Sequence, residues 1–278
     1  MEDALELSWA ASGSNKAMER ENVDQSSAGT QLAEKVGTYR FADFVVRVSS
    51  LHDDVHELCR EYRCEDAPTF AVESSQAEIE REREASLRTD ELEGRKPRSH
   101  SDGYLETLVV YRAISERLPS YDAFLFHGSA VAVDGAAYLF TAKSGTGKST
   151  HTRLWRELFG ERALMVNDDK PLIRVAADGS ASVVGTPWDG KHHLSSNVEV
   201  PLQALCILER SESNTIRAIS KAEALPMLLQ QVYRPSDPLA MQKTLALLDR
   251  LNVKLFRLGC RPEIDAAKLS YRVMSEGA

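Results

Sequence analysis

The segment that most narrows what this chain can fold into is Ala142-Lys143-Ser144-Gly145-Thr146-Gly147-Lys148-Ser149. It fits the pattern G-x-x-x-x-G-K-[ST], with Ala142 at the first glycine position. The apolar run Ala136 to Thr141 precedes it, and a helical stretch, Thr150 to Phe159, follows. Strand, glycine turn and helix in that order require an α/β domain. Gly145 and Gly147 can take positive φ, so successive backbone N–H groups can converge on one concavity. The following helix adds its positive N-terminal end. Such a cradle suits phosphate oxygens. Ser144, Gly145, Thr146, Gly147, Lys148, Ser149 and Thr150 are therefore the expected contacts for the phosphates of ATP. Lys148 supplies charge at the reacting phosphate, and the Ser149 hydroxyl is offered to Mg2+.

The apolar stretches around this loop are punctuated in a readable way. Asp134-Gly135 separates Ser129–Val133 from Ala136–Thr141, and Asp178-Gly179 separates Leu172–Val175 from Ala181–Val184; both are hairpin signals. Tyr104 to Leu118 has helical periodicity and stops at Pro119. Ser220-Lys221-Ala222-Glu223 reads as a capping box. Met241–Leu251 and Glu263–Met274 read as helices, and Ala163–Val166, Leu202–Leu208 and Val253–Leu258 as strands. Upstream, Tyr39–Val48 reads as one strand, Leu51–Tyr62 as a helix and Thr69–Val72 as a short strand. The charged run Gln76–Arg88 reads as a solvated helical face. Residues 1–30 have few apolar anchors and read as a disordered tail. This divides the chain into that tail, a small N-terminal α+β region (31–98) and a core (99–278).

Net charge is −8, which disfavours nucleic acid or an anionic membrane as partner. There is no apolar run of about 18 residues and no basic, apolar leader, so a cytoplasmic protein is expected. Cys59, Cys64, Cys206 and Cys260 form no CxxC pair and read as reduced thiols.

Asp168 and Asp169 close the strand candidate that follows the loop helix. In α/β sheets, ligands bind at such strand ends. One carboxylate can serve a metal and the other can accept a proton from an attacking hydroxyl. Neighbours on a strand point to opposite sides, so their roles should differ.

His127-Gly128-Ser129-Ala130-Val131-Ala132-Val133-Asp134-Gly135, the loop, and Asn167-Asp168-Asp169 together resemble the HPr kinase/phosphorylase group. That group is structural kin of ATP-dependent phosphoenolpyruvate carboxykinase, whose Ser-Gly-Thr-Gly-Lys core this loop matches. The resemblance covers about residues 124 to 175. It implies a carboxykinase-like P-loop kinase core with a mixed sheet. It also implies Asp168 as catalytic acid/base, Asp169 as a metal-linked acid and His127 near the catalytic Asp. The acid pair comes a few residues later than in that group. The group's protein-substrate stretch and second metal acid are not recognisable.

The expected function is an ATP- and Mg2+-dependent kinase that phosphorylates a hydroxyl of a small molecule or peptide. A carboxykinase-type lyase and a non-catalytic nucleotide-binding regulatory subunit are the alternatives, and a homo-oligomer is left open. Several features keep two readings at this stage. The loop Gly185 to His193 could close over substrate, with Asp189 as a further metal acid, or be a turn around a packed Trp188. Arg210 could bind phosphate or be an exposed strand-end charge. His52, His56 and Cys59 could share a zinc-binding helix face or be half-buried. His151 could touch the nucleotide or sit on a solvated helix surface.

Overall fold

In the computed structural model, which describes residues 35–92 and 94–276, the glycine loop leaves the middle of a large mixed sheet. The expected tail lies outside the described residues. Twelve strands and seven α-helices are labelled below in chain order among the described residues.

The N-terminal part forms a three-stranded sheet from β1 (Lys35–Phe41), β2 (Phe44–Ser50) and β3 (Phe70–Glu73), in that order. β1 and β2 are antiparallel, while β2 and β3 are parallel. The run read as a single strand, 39–48, is thus a hairpin. It turns at Ala42-Asp43, with Ala42 at φ 54°. Apolar residues alternate on both sides of that turn, so nothing in the pattern marks it. The segment read as a helix after β2 gives one short helix, α1 (Asp54–Leu58), and a 3-10 turn at Arg60–Tyr62.

The charged helix α2 (Gln76–Leu92) is not wholly solvated. Ile79, Glu82, Ser86, Thr89 and Asp90 are buried along one face. Glu82 pairs with Arg112 of α3 (Asp102–Arg117), and Asp90 pairs with Arg98. The helical period is present on that face but is written in polar residues.

The larger sheet has nine strands. β4 (Ala123–Leu125), β8 (Leu172–Val175), β9 (Ala181–Val184), β10 (Glu199–Arg210), β6 (Ala136–Thr141), β5 (Ser129–Val133) and β7 (Ala163–Asn167) lie in that order. β12 (Lys254–Cys260) runs parallel to β10 and carries β11 (Thr215–Ala218) on its other side. β6 is parallel to β10 but antiparallel to β5, and β7 is antiparallel to β5, so the sheet is mixed.

Period-two alternation puts apolar residues on both faces. Ala137, Leu139, Leu205 and Ile207 face a cluster that includes Ala224 and Leu228 of α5 (Lys221–Gln231) and Leu247 and Leu248 of α6 (Pro238–Arg250). Tyr138, Phe140, Cys206 and Leu258 face Leu154 and Trp155 of α4 (Lys148–Phe159) and Met274 of α7 (Ile264–Ser275). A third cluster joins Tyr39, Phe41, Val46 and Val48 to Val110, Tyr111, Leu125, Leu172 and Trp188. The small sheet therefore shares its core with the strands next to the acid pair.

Candidate functional site

The backbone after β6 enters the glycine loop directly. Gly145 has φ 72° and Gly147 φ 119°, as the loop pattern requires. Gly147 caps α4, and Thr146 N donates to the Lys143 carbonyl at 3.2 Å. The helix starts two residues earlier than its sequence pattern indicates, which places Lys148 and Ser149 in its first turn. Trp155 packs against Tyr138, Phe140 and Tyr271, and holds α4 to β6 and α7.

His151 belongs to that packing. It is not on a solvated surface; it lies away from the cavity that holds the acids and lines a second cavity beside the glycine loop. It is buried, stacks edge-on against Phe140, and its Nε2 lies 3.1 Å from Ser270 Oγ. Burial lowers its pKa to about 4, so it is neutral.

The end of β7 holds the acids in place. Asn167 Oδ1 accepts from the backbone N–H of Asp169 (2.8 Å) and of Lys170 (2.6 Å), while its Nδ2 donates to the Thr186 carbonyl at 2.9 Å. These bonds fix the turn that carries Asp168 and Asp169. Asp168 Oδ1 accepts from Ser129 Oγ at 2.5 Å and lies 3.5 Å from Thr152 Oγ1. Ser129 and Thr152 also bond each other at 2.8 Å. Burial raises the Asp168 pKa above its ordinary 3.8, with Ser129 and Ser149 opposing the shift. Asp169 pairs with Lys170 through Oδ2, and its Oδ1 lies 3.5 Å from His127 Nε2.

His127 is fixed on its other side. Its Nδ1 meets Gln231 Oε1 at 2.6 Å, and its backbone N–H donates to the Gln231 carbonyl at 2.7 Å. His127 Nε2 thus faces Asp169. Ser129, Thr152 and Gln231 were not singled out from the sequence. Thr152 had a readable signal, one turn after the loop. Gln231 had none, since only the fold brings it to His127.

Lys148, Ser149, Asp168 and Asp169 all line one cavity of about 890 Å3. Tyr104, Tyr111 and Trp188 contribute to its wall, and Asp54, Glu57 and Leu58 of α1 reach it from the small sheet's side. Residues 187–193 of the loop 185–193 line it. Trp188 is indeed packed, with Nε1 donating to the Thr107 carbonyl at 3.2 Å. The same loop also covers the acids: Gly190 sits so close that a Cβ there would lie 3.1 Å from Asp169 Cβ. Lys191, His192 and His193 are exposed at the rim, while Asp189 is buried and accepts from Ser195 Oγ at 2.9 Å. Burial raises the Asp189 pKa as well.

Arg210 donates to the Gly145 carbonyl and so braces the loop. His56 bonds Tyr39 and Ser50, and Cys59 is buried in the apolar cluster, which uses up the face considered for zinc. Among the described residues no group of three or more His, Cys, Asp or Glu side chains could hold a metal by itself. All four cysteines are free, and no helix among the described residues is long and apolar enough to cross a membrane.

The fold and site define a mixed α/β protein built around a strand, a glycine-rich loop and a helix, with an acid pair just past the end of β7, one strand removed from the loop strand. The profile of the family described as SynChlorMet cassette protein ScmC matches residues 99–253, more than half of the chain, and the chain belongs to that family. No curated protein matches. Among solved structures, the Hpr(Ser) kinase/phosphatase from Coxiella burnetii is 14% identical, over 55% of this chain and 99% of that one, with a TM-score of 0.29. A likeness of that size carries no functional information.

Proposed function

We propose that this protein is an ATP-dependent phosphotransferase that phosphorylates a hydroxyl of a small molecule or peptide. The observation that supports this most is the sharing of one cavity by Lys148, Ser149, Asp168 and Asp169. The loop N–H groups and Lys148 hold and neutralise the terminal phosphates. Asp168 is the base: the acceptor O–H bond breaks and its proton passes to the carboxylate, the acceptor O–P bond forms, and the bond from the γ-phosphorus to the bridging oxygen breaks, its electron pair leaving with ADP. The raised pKa of Asp168 suits it to hold that proton. Ser129 and Thr152 orient the carboxylate through Oδ1.

The donor set fits Mg2+, which takes hard oxygen ligands and commonly uses one or two carboxylates alongside phosphate oxygens and water. Ser149 and Asp169 would hold it, with Lys170 and His127 restraining Asp169. When bound, the ion supplies charge neutralisation across the outer phosphates. Segment 99–278 carries this machinery, while residues of 31–98 shape the acceptor end of the cavity through Asp54, Glu57 and Leu58.

The test is ATP consumption by the full chain across a panel of hydroxyl acceptors, read together with Mg-ATP titration. Lys148→Ala should lose turnover. A wild-type chain that gives no titration signal with Mg-ATP or Mg-ADP, and no product, would remove the proposal.

A further inference from the structure

We infer that the nucleoside of the bound nucleotide occupies a second cavity, of about 870 Å3, on the opposite side of the glycine loop from the acids. The inference rests on the phosphotransferase reading and adds where the non-reacting end of the nucleotide lies.

Gly145, Gly147 and Thr150 line both cavities, so the loop is a shared wall between them. Lys148, Ser149, Asp168 and Asp169 line only the first. A phosphate chain lying on the loop N–H groups has two ends. Its terminal phosphate must face Lys148 and Asp168. The other end then leaves the loop on the far side, into the second cavity.

That cavity stands where the sheet topology favours a ligand. β6, β10 and β12 are mutually parallel neighbours, and their carboxyl ends meet at one edge. β6 gives the loop there, β10 gives Arg210 and β12 gives Cys260, with Arg210 directly opposite Cys260 in the ladder. Crevices outside the carboxyl ends of parallel strands are the usual ligand sites of α/β sheets.

The lining has the chemistry of a nucleoside site. Leu154, Leu208, Cys260 and Pro262 provide apolar surface for the flat face of a base. Arg210 is tied to the Gly145 carbonyl, which sets its guanidinium at the seam between loop and cavity. Arg261 is exposed at the rim beside Pro262 and can stack on a ring. Ser211 and Glu212 offer polar groups to the edge of a base or to ribose hydroxyls. The volume lies within the range of small-molecule pockets.

The experiment compares Mg-ATP with Mg-bound inorganic triphosphate on the full chain. Titration calorimetry of the wild type should give ATP an affinity about tenfold or more above triphosphate, the worth of stacking one base. Cys260→Trp, which fills the cavity, should abolish that preference and leave triphosphate within about twofold of wild type. A second readout needs no variant. Alkylation of Cys260, followed by peptide mass spectrometry, should be slowed by Mg-ATP and not by Mg-triphosphate.

Equal wild-type affinities for the two ligands would overturn the assignment and leave the phosphotransferase reading standing. So would equal protection of Cys260 by both, or an equal loss of both in Cys260→Trp. Wild-type protein that binds neither ligand would remove both readings together.

Discussion

Burial of Asp168 raises its carboxyl pKa above 3.8, and the proposed role of this residue as base would link stability to activity. The folded state holds the proton more tightly than the unfolded chain does. Ionisation therefore subtracts stability as pH rises from about 3.8 through the folded value. Asp168→Asn removes that penalty and should melt no lower than wild type at neutral pH, while turnover falls by about 10²–10⁴. The acid limb of kcat/KM against pH should lie above 3.8 in the wild type and be absent from whatever activity the variant retains. A wild-type limb at or below 3.8, or unchanged turnover in Asp168→Asn, would deny Asp168 the role of base. Gly185 gives a second prediction at this scale. A Cβ there would lie 1.9 Å from the Ser196 carbonyl oxygen and 2.7 Å from that of Val166. Backbone cannot yield as a side chain does, so Gly185→Ala should cost roughly 1–3 kcal/mol in urea unfolding. A variant with wild-type stability would mean that the segment holding Ser195 and Ser196 moves freely.

Between secondary-structure elements, the contacts carry the energetics. Trp155 fastens α4 to β6 and α7, and Trp155→Ala should cost about 3–5 kcal/mol. Because α4 starts at the loop, nucleotide affinity should fall as well; a stability loss with unchanged affinity would show that the loop holds its shape without the helix contact. Glu82 on α2 accepts from Arg112 at 2.9 and 3.0 Å, with Arg112 partly screened. Glu82→Ala should therefore cost less than the roughly 3–5 kcal/mol of a fully buried broken pair, read from the urea midpoint. Legibility followed local chemistry at this scale. Asp134-Gly135 adopts φ 51° and 82°, which places the β5–β6 hairpin where the dipeptide indicates. Ser220 accepts from Glu223 N at 3.2 Å as a capping box requires, but the Glu223 carboxylate goes to Arg217 instead of back to the cap. β4 and β11 are short and carry no pattern of their own; partner strands define them.

Across the whole molecule, the small sheet and the larger one share a hydrophobic cluster that runs through Tyr111 and Trp188. The cavity takes wall residues from both. The chain should therefore unfold in a single transition, with far-UV circular dichroism and tryptophan fluorescence coincident. Two separated transitions would mean that the shared cluster contributes little. Bound Mg-ATP should raise the midpoint by mass action, in proportion to the logarithm of its concentration.

The sequence alone determined the loop, the strand before it, the helix after it and the presence of an acid pair at the next strand end. Each of these is local: glycine conformations, alternation and a lysine beside a serine act within a few residues. Tertiary structure decided which side chains those acids meet. Ser129, Thr152, Gln231 and the rim around Gly190 come from separate elements, and no spacing along the chain encodes their approach. Only the closing of the mixed sheet, driven by apolar burial on both its faces, brings them to Asp168, Asp169 and His127.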